Sequence, residues 1–487
     1  MRDIMEAYLE RLFECKRLER EERKFDNKIR SYDKYVLKYK RKDDIDLTEE
    51  QKREIDLFWK KYSFAFSPDY DTVKIFMNRT GKFDPRYLPS GVRGCILNPQ
   101  WLPQKCSGLF QNKAYLAKTY QDVKQPIIVI RKIAGFYYNE QYQKISLEEA
   151  LDLCEERMKK TEIVVKPSGM QGGKGVIFLE HATREKIKEE FKKIPKLMVV
   201  QEAVKQHPFM KKLNPSTVNT VRLTTFIRNN GEIVPLAALI KVGNASVRVD
   251  NYKHGGHIIG VGLDGHMFPY ALNVEYERVT MLPTGVDLSE GFEVPGFHDV
   301  IETAKRAHIQ TPQIKMISWD IAVDENAEAV IIEANHGGDL KMHQAVTGPI
   351  FGDMTEKILD QYVLKKFYRL RGNMDFDYKE FFDHIEIVRY AGLGGGTNEK
   401  CITVPGRIHE KPVTVIGAEC FSGCRGITQV ILPDSVKTIR RRAFANCTDL
   451  SLVTIPKGLT NLGADCYVQC AKLSNKEEWD KIRGVRT

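Results

Sequence analysis

Three segments near the end of the chain repeat one another at a fixed step. IGAECFSGCRGITQVILPDS aligns with IRRRAFANCTDLSLVTIPKG and then with LGADCYVQCAKL. Ile416, Ile439 and Leu462 stand 23 residues apart, as do Phe421, Phe444 and Tyr467, and Cys424, Cys447 and Cys470. Pro433 and Pro456 keep the same step. A unit this short cannot bury its own apolar face and has to stack on its neighbours, so the period leaves few folds open. Each unit is expected to form a short turn or helix, a loop and one strand. The aromatics and the cysteines would then stand in two buried columns, the cysteines as small core residues and not as metal ligands. ITVPGRIHEKPVTV, residues 402–415, reads as a degenerate first unit, for about three and a half in all.

Ahead of the repeats, residues 316–339 read MISWDIAVDENAEAVIIEANHGGD. Ile317, Trp319, Ile321 and Val323 alternate with Ser318, Asp320 and Ala322, and the pattern resumes after Glu325, Asn326 and Glu328. Two strands joined by a polar turn are expected. Asp320 lies on the first. Glu333 and Asn335 lie two residues apart on the second, and so on one face of it. Oxygen ligands converging from adjacent strands suit Mg²⁺. The plainer alternative is a hairpin with two solvated acids.

Residues 161–180, TEIVVKPSGMQGGKGVIFLE, add a second feature. An apolar run ends at Lys166-Pro167-Ser168. A loop containing Gly172, Gly173 and Lys174 follows, and then a second apolar run. Glycines let backbone N–H groups approach phosphates, and a lysine on the preceding strand neutralises them. A Walker loop is excluded, because Gly-Lys-Gly here leads into a strand and not into a helix. Arg222, in NTVRLTTF, alternates with Val221 and Leu223 and points away from them. It is a candidate to bind a transferred phosphoryl group, or else to pair with a nearby acid.

Together these segments resemble the ATP-grasp superfamily, which holds ATP between two α+β subdomains under a glycine-rich strand–loop–strand. Residues from about 48 to 365 are most similar to its sugar-transfer-associated branch. The similarity rests on Asn112-Lys113 before KQP, GFYY at 135–138, VVKPS…GGKGV at 164–176, QEAVKQHP at 201–208, NPSTVNTVRLTTF at 214–226 and IIEANHGGD at 331–339. The teichuronopeptide-type ATP-grasp proteins are a near alternative. The resemblance implies ATP and Mg²⁺ as cofactors, with Asp320, Glu333 and Asn335 on the metal. It implies Lys166, Ser168, Gly172, Gly173 and Lys174 on the phosphates, and Gln201, Glu202 and Val204 along the adenine. A basic residue ahead of the glycine loop completes the set. Arg131 and Lys132 are the candidates, spacing does not separate them, and Lys132 is carried in the set. Arg222 is the expected catalytic cation. The tail resembles BspA-like leucine-rich repeats.

The expected architecture is therefore α+β. Charged helices occupy 1–65, an ATP-grasp domain 66–385, the repeats 386–475 and a tail 476–487. Thr48 with Gln51, and Ser146 with Glu149, form capping boxes before helices. Residues 1–42 carry an apolar stripe among charges of both signs. Arg248, Asp250, Asn251, Lys253 and His254 fall in a glycine-rich segment that is a candidate substrate loop, and His336 and His343 are candidate bases.

The expected reaction is an ATP-dependent carboxylate–amine ligation through an acyl phosphate. The substrates would be a small-molecule carboxylate and an amine, either amino acid or amino sugar. The family's company with glycosyltransferases suggests a surface-polysaccharide setting. The alternatives are a kinase-like phosphotransferase and a non-enzymatic binding protein using the repeats, which offer a surface for a protein or glycan partner. Net charge bears on partners: 75 basic residues against 65 acidic give +10, half of it in residues 391–487, where 14 basic meet 9 acidic. That is a modest excess and does not suggest a nucleic-acid reader. The 10 cysteines lack zinc spacing, the start lacks an apolar leader core, and no run suits a membrane span. A cytoplasmic protein is expected.

Overall fold

The structure is a computed structural model. It describes residues 36–59, 69–102, 112–168, 175–244, 255–336, 340–364, 376–390, 401–408, 411–424 and 426–484, together with 28, 31, 34 and 62. The expected helices of 1–42 lie almost wholly outside these residues, as does the candidate substrate loop from Arg248 to His254. The chain divides into two compact units. One comprises Met1–Gln51 with Asp69–Thr355, the other Lys52–Pro68 with Glu356–Thr487.

The first capping box forms as expected: the Thr48 amide donates to Gln51 Oε1 (2.9 Å) and the Gln51 amide to Thr48 Oγ1 (3.2 Å). Helix α1 (Glu49–Trp59) follows, and α2 (Tyr70–Thr80) comes after it.

In the first unit, β1 (Ile128–Ile133), β2 (Phe136–Tyr138) and β3 (Lys144–Ile145) run as a meander. Next come α3 (Leu147–Met158), β4 (Ile163–Pro167), β5 (Ile177–Leu179), α4 (Arg184–Lys193) and β6 (Met198–Glu202). They form one antiparallel sheet in the order β3-β2-β1-β6-β4-β5. The GFYY segment doubles back on β1 as β2, with Ala134 and Gly135 at positive φ in the turn. Ser146 and Glu149 make the second capping box, at the start of α3. Ile130, Ile163, Val165, Met198 and Val200 pack with Leu151 and Cys154 of α3 and Ile187 and Phe191 of α4 in one core. The helices therefore cover one face of this sheet.

The second sheet contains β7 (Thr220–Ile227), β8 (Ile233–Val242), β9 (His257–Val261), β10 (Met267–Leu272), β11 (Arg278–Val279), β12 (Met316–Val323) and β13 (Ala329–His336). Its order is β11-β10-β9-β8-β7-β12-β13. The β7–β8 turn falls at Asn229-Asn230-Gly231, with Gly231 at φ +86°. Ile317, Trp319, Ile321 and Val323 are fully buried with Val221, Leu223 and Ile331 against α5 (Phe297–His308). The residues between them face the other way. α5 begins at Gly296, where φ is +62° and a Cβ would stand 2.0 Å from the Ala327 carbonyl oxygen, so only glycine fits against the β12–β13 turn. Past β13, α6 (Leu340–Thr347) follows. Among the described residues no helix is long and apolar enough to cross a membrane.

In the second unit β14 (Phe376–Glu380) and β15 (Ile385–Tyr390) form a hairpin. The stack continues with β16 (Cys401–Thr403), β17 (Arg407–Ile408), β18 (Lys411–Ile416), β19 (Gln429–Ile431), β20 (Thr438–Ile439), β21 (Leu452–Val453) and β22 (Asn461–Leu462). One strand per repeat was expected, but each full repeat supplies two. One joins the parallel ladder β15-β18-β20-β22 and the other the parallel ladder β16-β19-β21. Of the expected aromatic column, Phe421 stacks on Phe444 at 5.2 Å; Phe421 also stacks on Tyr390 at 5.4 Å, and the Tyr467 ring lies 6.3 Å from that of Trp479. The thiols of Cys447 and Cys470 donate to the Phe421 and Phe444 carbonyls of the preceding repeat, each at 2.9 Å. The tail closes on a helix, Lys476–Gly484, with Trp479 buried.

Trp319 anchors the sheet that carries the acids, its ring buried and its Nε1 donating to Thr225 Oγ1 at 2.8 Å. Trp319→Ala should destabilise the fold by about 3–5 kcal/mol, read as a lowered urea midpoint by circular dichroism. A loss below about 1 kcal/mol would show that the core does not depend on it.

Candidate functional site

The polar face of the second sheet is fixed by register. Arg222 of β7 lies opposite Asp320 of β12, and Asp320 lies opposite Glu333 of β13. One step along, Thr224 meets Ser318, and Ser318 meets Asn335. Because side chains alternate, these residues share the face opposite the Trp319 core. The three expected metal ligands and the expected catalytic arginine are therefore together.

Their contacts are specific. Arg222 grips Asp320 with two parallel bonds, Nε to Oδ1 at 2.8 Å and Nη2 to Oδ2 at 2.7 Å. Lys241 Nζ stands 3.1 Å from the same Oδ2, and Asn335 Nδ2 donates to it at 3.1 Å. Glu333 Oε1 accepts from Lys113 Nζ at 3.0 Å. Burial alone pushes the Asp320 carboxyl up, but the charges of Arg222 and Lys241 outweigh it and hold the group well below the usual carboxylate range. Asp320 therefore stays ionised at neutral pH despite being almost fully enclosed.

Lys113 arrives from the other sheet. Asn112 caps a short turn there, its side chain accepting from the Ala114 amide at 3.0 Å. Ser168, at the end of β4, donates to Asn112 Oδ1 (2.5 Å) and accepts from the same amide (3.2 Å). The Ala114 carbonyl accepts from Arg131 Nε and from the Tyr142 hydroxyl, both at 3.0 Å. Ser168, expected at the phosphates, thus fastens the turn that delivers Lys113.

Register also separates Arg131 from Lys132. Arg131 and Lys166 both lie opposite Val199, on the face away from the helices. Lys132 lies opposite Met198, on the helix-covered face. Its ammonium donates to the Phe191 and Ile194 carbonyls, at 3.2 and 3.1 Å, and so caps the end of α4. Lys132 is thus drawn away from the group formed by Lys113, Arg131 and Lys166, because a buried ammonium takes the nearest unpaired carbonyls. Arg131 itself is buried, lies 3.9 Å from the Tyr142 ring centroid and also donates to the Asn139 and Glu140 carbonyls.

Gln201 shares the helix-free face, opposite Val164. The Glu202 carboxylate turns instead to Arg157 of α3. Val204 lies half-buried just past β6, where the Ala203 amide donates to the Glu162 carbonyl at 2.9 Å. Further on, the Lys205 carbonyl accepts from the Glu325 amide (3.0 Å) and the His207 amide donates to the Val323 carbonyl (2.9 Å). This strand end therefore bridges the two sheets. Gly172, Gly173 and Lys174 lie outside the described residues, between β4 and β5, which pair antiparallel. The two candidate bases separate as well. His336 is on the core face, its Nε2 3.0 Å from the Tyr120 hydroxyl, and burial holds its pKa down to about 4. His343 of α6 packs under the site, with Nε2 3.3 Å from Thr224 Oγ1.

The donor set fits magnesium. Two carboxylates and the Asn335 amide oxygen lie on one face, and the remaining positions suit water and phosphate oxygens. The surrounding lysines and Arg222 suit a polyphosphate. Sequence reasoning missed Lys113 and Lys241 as site residues. The signal for Lys241 was a lone charge in the apolar strand IVPLAALIKV.

Helix-backed and acid-bearing antiparallel sheets, a strand–loop–strand and a bridging strand end define an ATP-grasp fold. The chain belongs to the sugar-transfer-associated ATP-grasp family, whose model matches residues 98–358. Residues 400–485 match the BspA-type leucine-rich repeat region in 6 copies. No curated protein matches. Among solved structures, the T. pallidum leucine-rich repeat protein shares 29% identity over 20% of this chain and 45% of its own, with a TM-score of 0.19. The chain thus spans less than half of that protein. Biotin carboxylase from Campylobacter jejuni shares 12% identity over 50% of this chain and 45% of its own, with a TM-score of 0.33. The D-alanine-D-alanine ligase from Coxiella burnetii shares 9% over 54% and 61%, with a TM-score of 0.31.

Arg222→Met removes the main partner of a buried carboxylate and should cost about 3–5 kcal/mol at pH 7. Because the folded pKa of Asp320 is depressed, its stabilisation is present above the unfolded value of about 3.9 and is lost as pH falls through the folded value. The gap between wild type and variant should therefore begin to narrow below about pH 4 and go on narrowing toward the folded value. Urea titrations from pH 7 to 3 check this, and a gap that stays constant would show that Asp320 does not titrate as described.

Proposed function

We propose that the protein is an ATP- and Mg²⁺-dependent carboxylate–amine ligase. It would modify a surface-polysaccharide sugar or its precursor with an amino acid or a similar small molecule. The observation that carries this reading is the single polar face on which Arg222, Lys241, Asp320, Glu333 and Asn335 meet, with Lys113 reaching it from the nucleotide-side sheet.

In this reading Asp320, Glu333 and Asn335 hold magnesium, which neutralises charge on the γ-phosphoryl group. Lys166 lies beside the triphosphate on the helix-free face of the first sheet, and Arg131 fastens the turn that carries Lys113. The backbone after β6, from Gln201 to Val204, runs beside adenine. Arg222 is held rigid by its two bonds to Asp320, so its remaining N–H groups are oriented in advance toward the transferred group. A substrate carboxylate takes that group to give an acyl phosphate, and an amine displaces phosphate. The chain supplies position and charge; no side-chain nucleophile is required. Sugar-hydroxyl phosphorylation would use the same cations, so the reactions are told apart by product.

Incubation with ATP, Mg²⁺ and a panel of amino acids and uronic acids in hydroxylamine should yield a hydroxamate for at least one acid. Arg222→Met should lower the yield by about 10²-fold or more. Phosphorylated product without hydroxamate would replace the ligase reading with a kinase.

A further inference from the structure

Both acids of the site already hold a cation supplied by the protein, but in different ways. Asp320 is almost fully buried, and Arg222 and Lys241 reach it from strands of its own sheet. Glu333 is more open, its side chain 30% exposed, and its cation, Lys113, comes from a turn fastened to the other sheet. That turn is fixed through Asn112 and the Ala114 amide and carbonyl. The Lys113 ammonium is not one of those fastenings. Its four-carbon stem can therefore redirect while the turn stays in place.

An oxygen that accepts from an ammonium is a weaker ligand for a divalent ion. A bare ion that takes Oε1 of Glu333 has to displace Lys113 and leave that cation beside itself. A metal–nucleotide complex faces no such cost, because its phosphate oxygens offer the displaced ammonium a new partner. We propose that Lys113 is a placeholder cation. It holds Glu333 until the nucleotide brings the divalent ion, then passes to the phosphates, so that metal enters with nucleotide and not before it. The proposal rests on the reading of Glu333 as a metal ligand. It makes Lys113 a positioning residue in the empty site and a phosphate ligand in the filled one.

The test is a Mn²⁺ titration of the full-length protein followed by electron paramagnetic resonance, with and without a non-hydrolysable ATP analogue. Wild type is compared with Lys113→Met, Lys118→Met and Glu333→Gln. Lys118 is the charge control, since it lies on the same segment with its ammonium over the Tyr142 ring, 4.6 Å from the centroid. Lys113→Met should bind Mn²⁺ alone about tenfold more tightly than wild type, the equivalent of one charged hydrogen bond. It should bind the Mn²⁺–nucleotide complex more weakly, and Lys118→Met should shift neither. If Lys113→Met does not fold, Lys113→Gln carries the same expectation. A Lys113 variant that binds Mn²⁺ no more tightly, or an equal gain in Lys118→Met, overturns the placeholder. If Glu333→Gln meanwhile loses the Mn²⁺–nucleotide complex, the ligand reading survives that failure. A wild type that binds no Mn²⁺–nucleotide complex, or a Glu333→Gln that binds it equally well, overturns the ligand reading and the placeholder with it.

Discussion

A single buried carboxylate organises the first unit. Asp320 sits in the middle of an apolar strand, and leaving it charged there without partners would cost several kcal/mol. The fold meets that cost with two parallel bonds from Arg222, with Lys241 and with the Asn335 amide. Each partner comes from a different strand, so the register of four strands is tied to one side chain. A one-residue slip of any of them would turn its partner into the core and bring apolar groups to the site. The same contacts leave the face charged and aligned. What stabilises the sheet thus also sets the charge of its polar face.

The first sheet contributes through a second set of fastenings. Its helices bury one face, and Lys132 is used there to cap α4. The other face carries Arg131 and Lys166, and Ser168 and Arg131 hold the turn that presents Lys113. Cations therefore meet the acids from both sheets. The repeats obey a simpler rule. Each layer repeats the contacts of the one before it, ring on ring and thiol on carbonyl, and the layers are joined by two ladders of very short parallel strands.

Much of this was legible in the sequence because it rests on local alternation. The period-2 pattern around Trp319 put Asp320 on the face away from the core, and the two-residue spacing put Glu333 and Asn335 on one face. Both capping boxes and the Asn-Asn-Gly turn are equally local. What was not legible depends on pairing between distant strands. Alternation shows that Arg131 and Lys132 point to opposite faces, but only the pairing with β6 and the packing of α4 say which face is covered. Lys241 becomes a site residue only because β8 lies beside β7, which in turn lies beside β12. The second strand of each repeat is two or three residues long, too short to give a period of its own.

The central claim is that the acid-bearing face, closed by Lys113, is a magnesium–nucleotide site. Thermal unfolding with and without Mg-ATP tests it most directly. At a hundredfold excess over the dissociation constant, binding to the native state alone adds about 2.7 kcal/mol. The midpoint should rise only when magnesium is present, and Glu333→Gln should diminish the rise. A wild-type midpoint unmoved by Mg-ATP would contradict it and would leave the site as a structural ion-pair network.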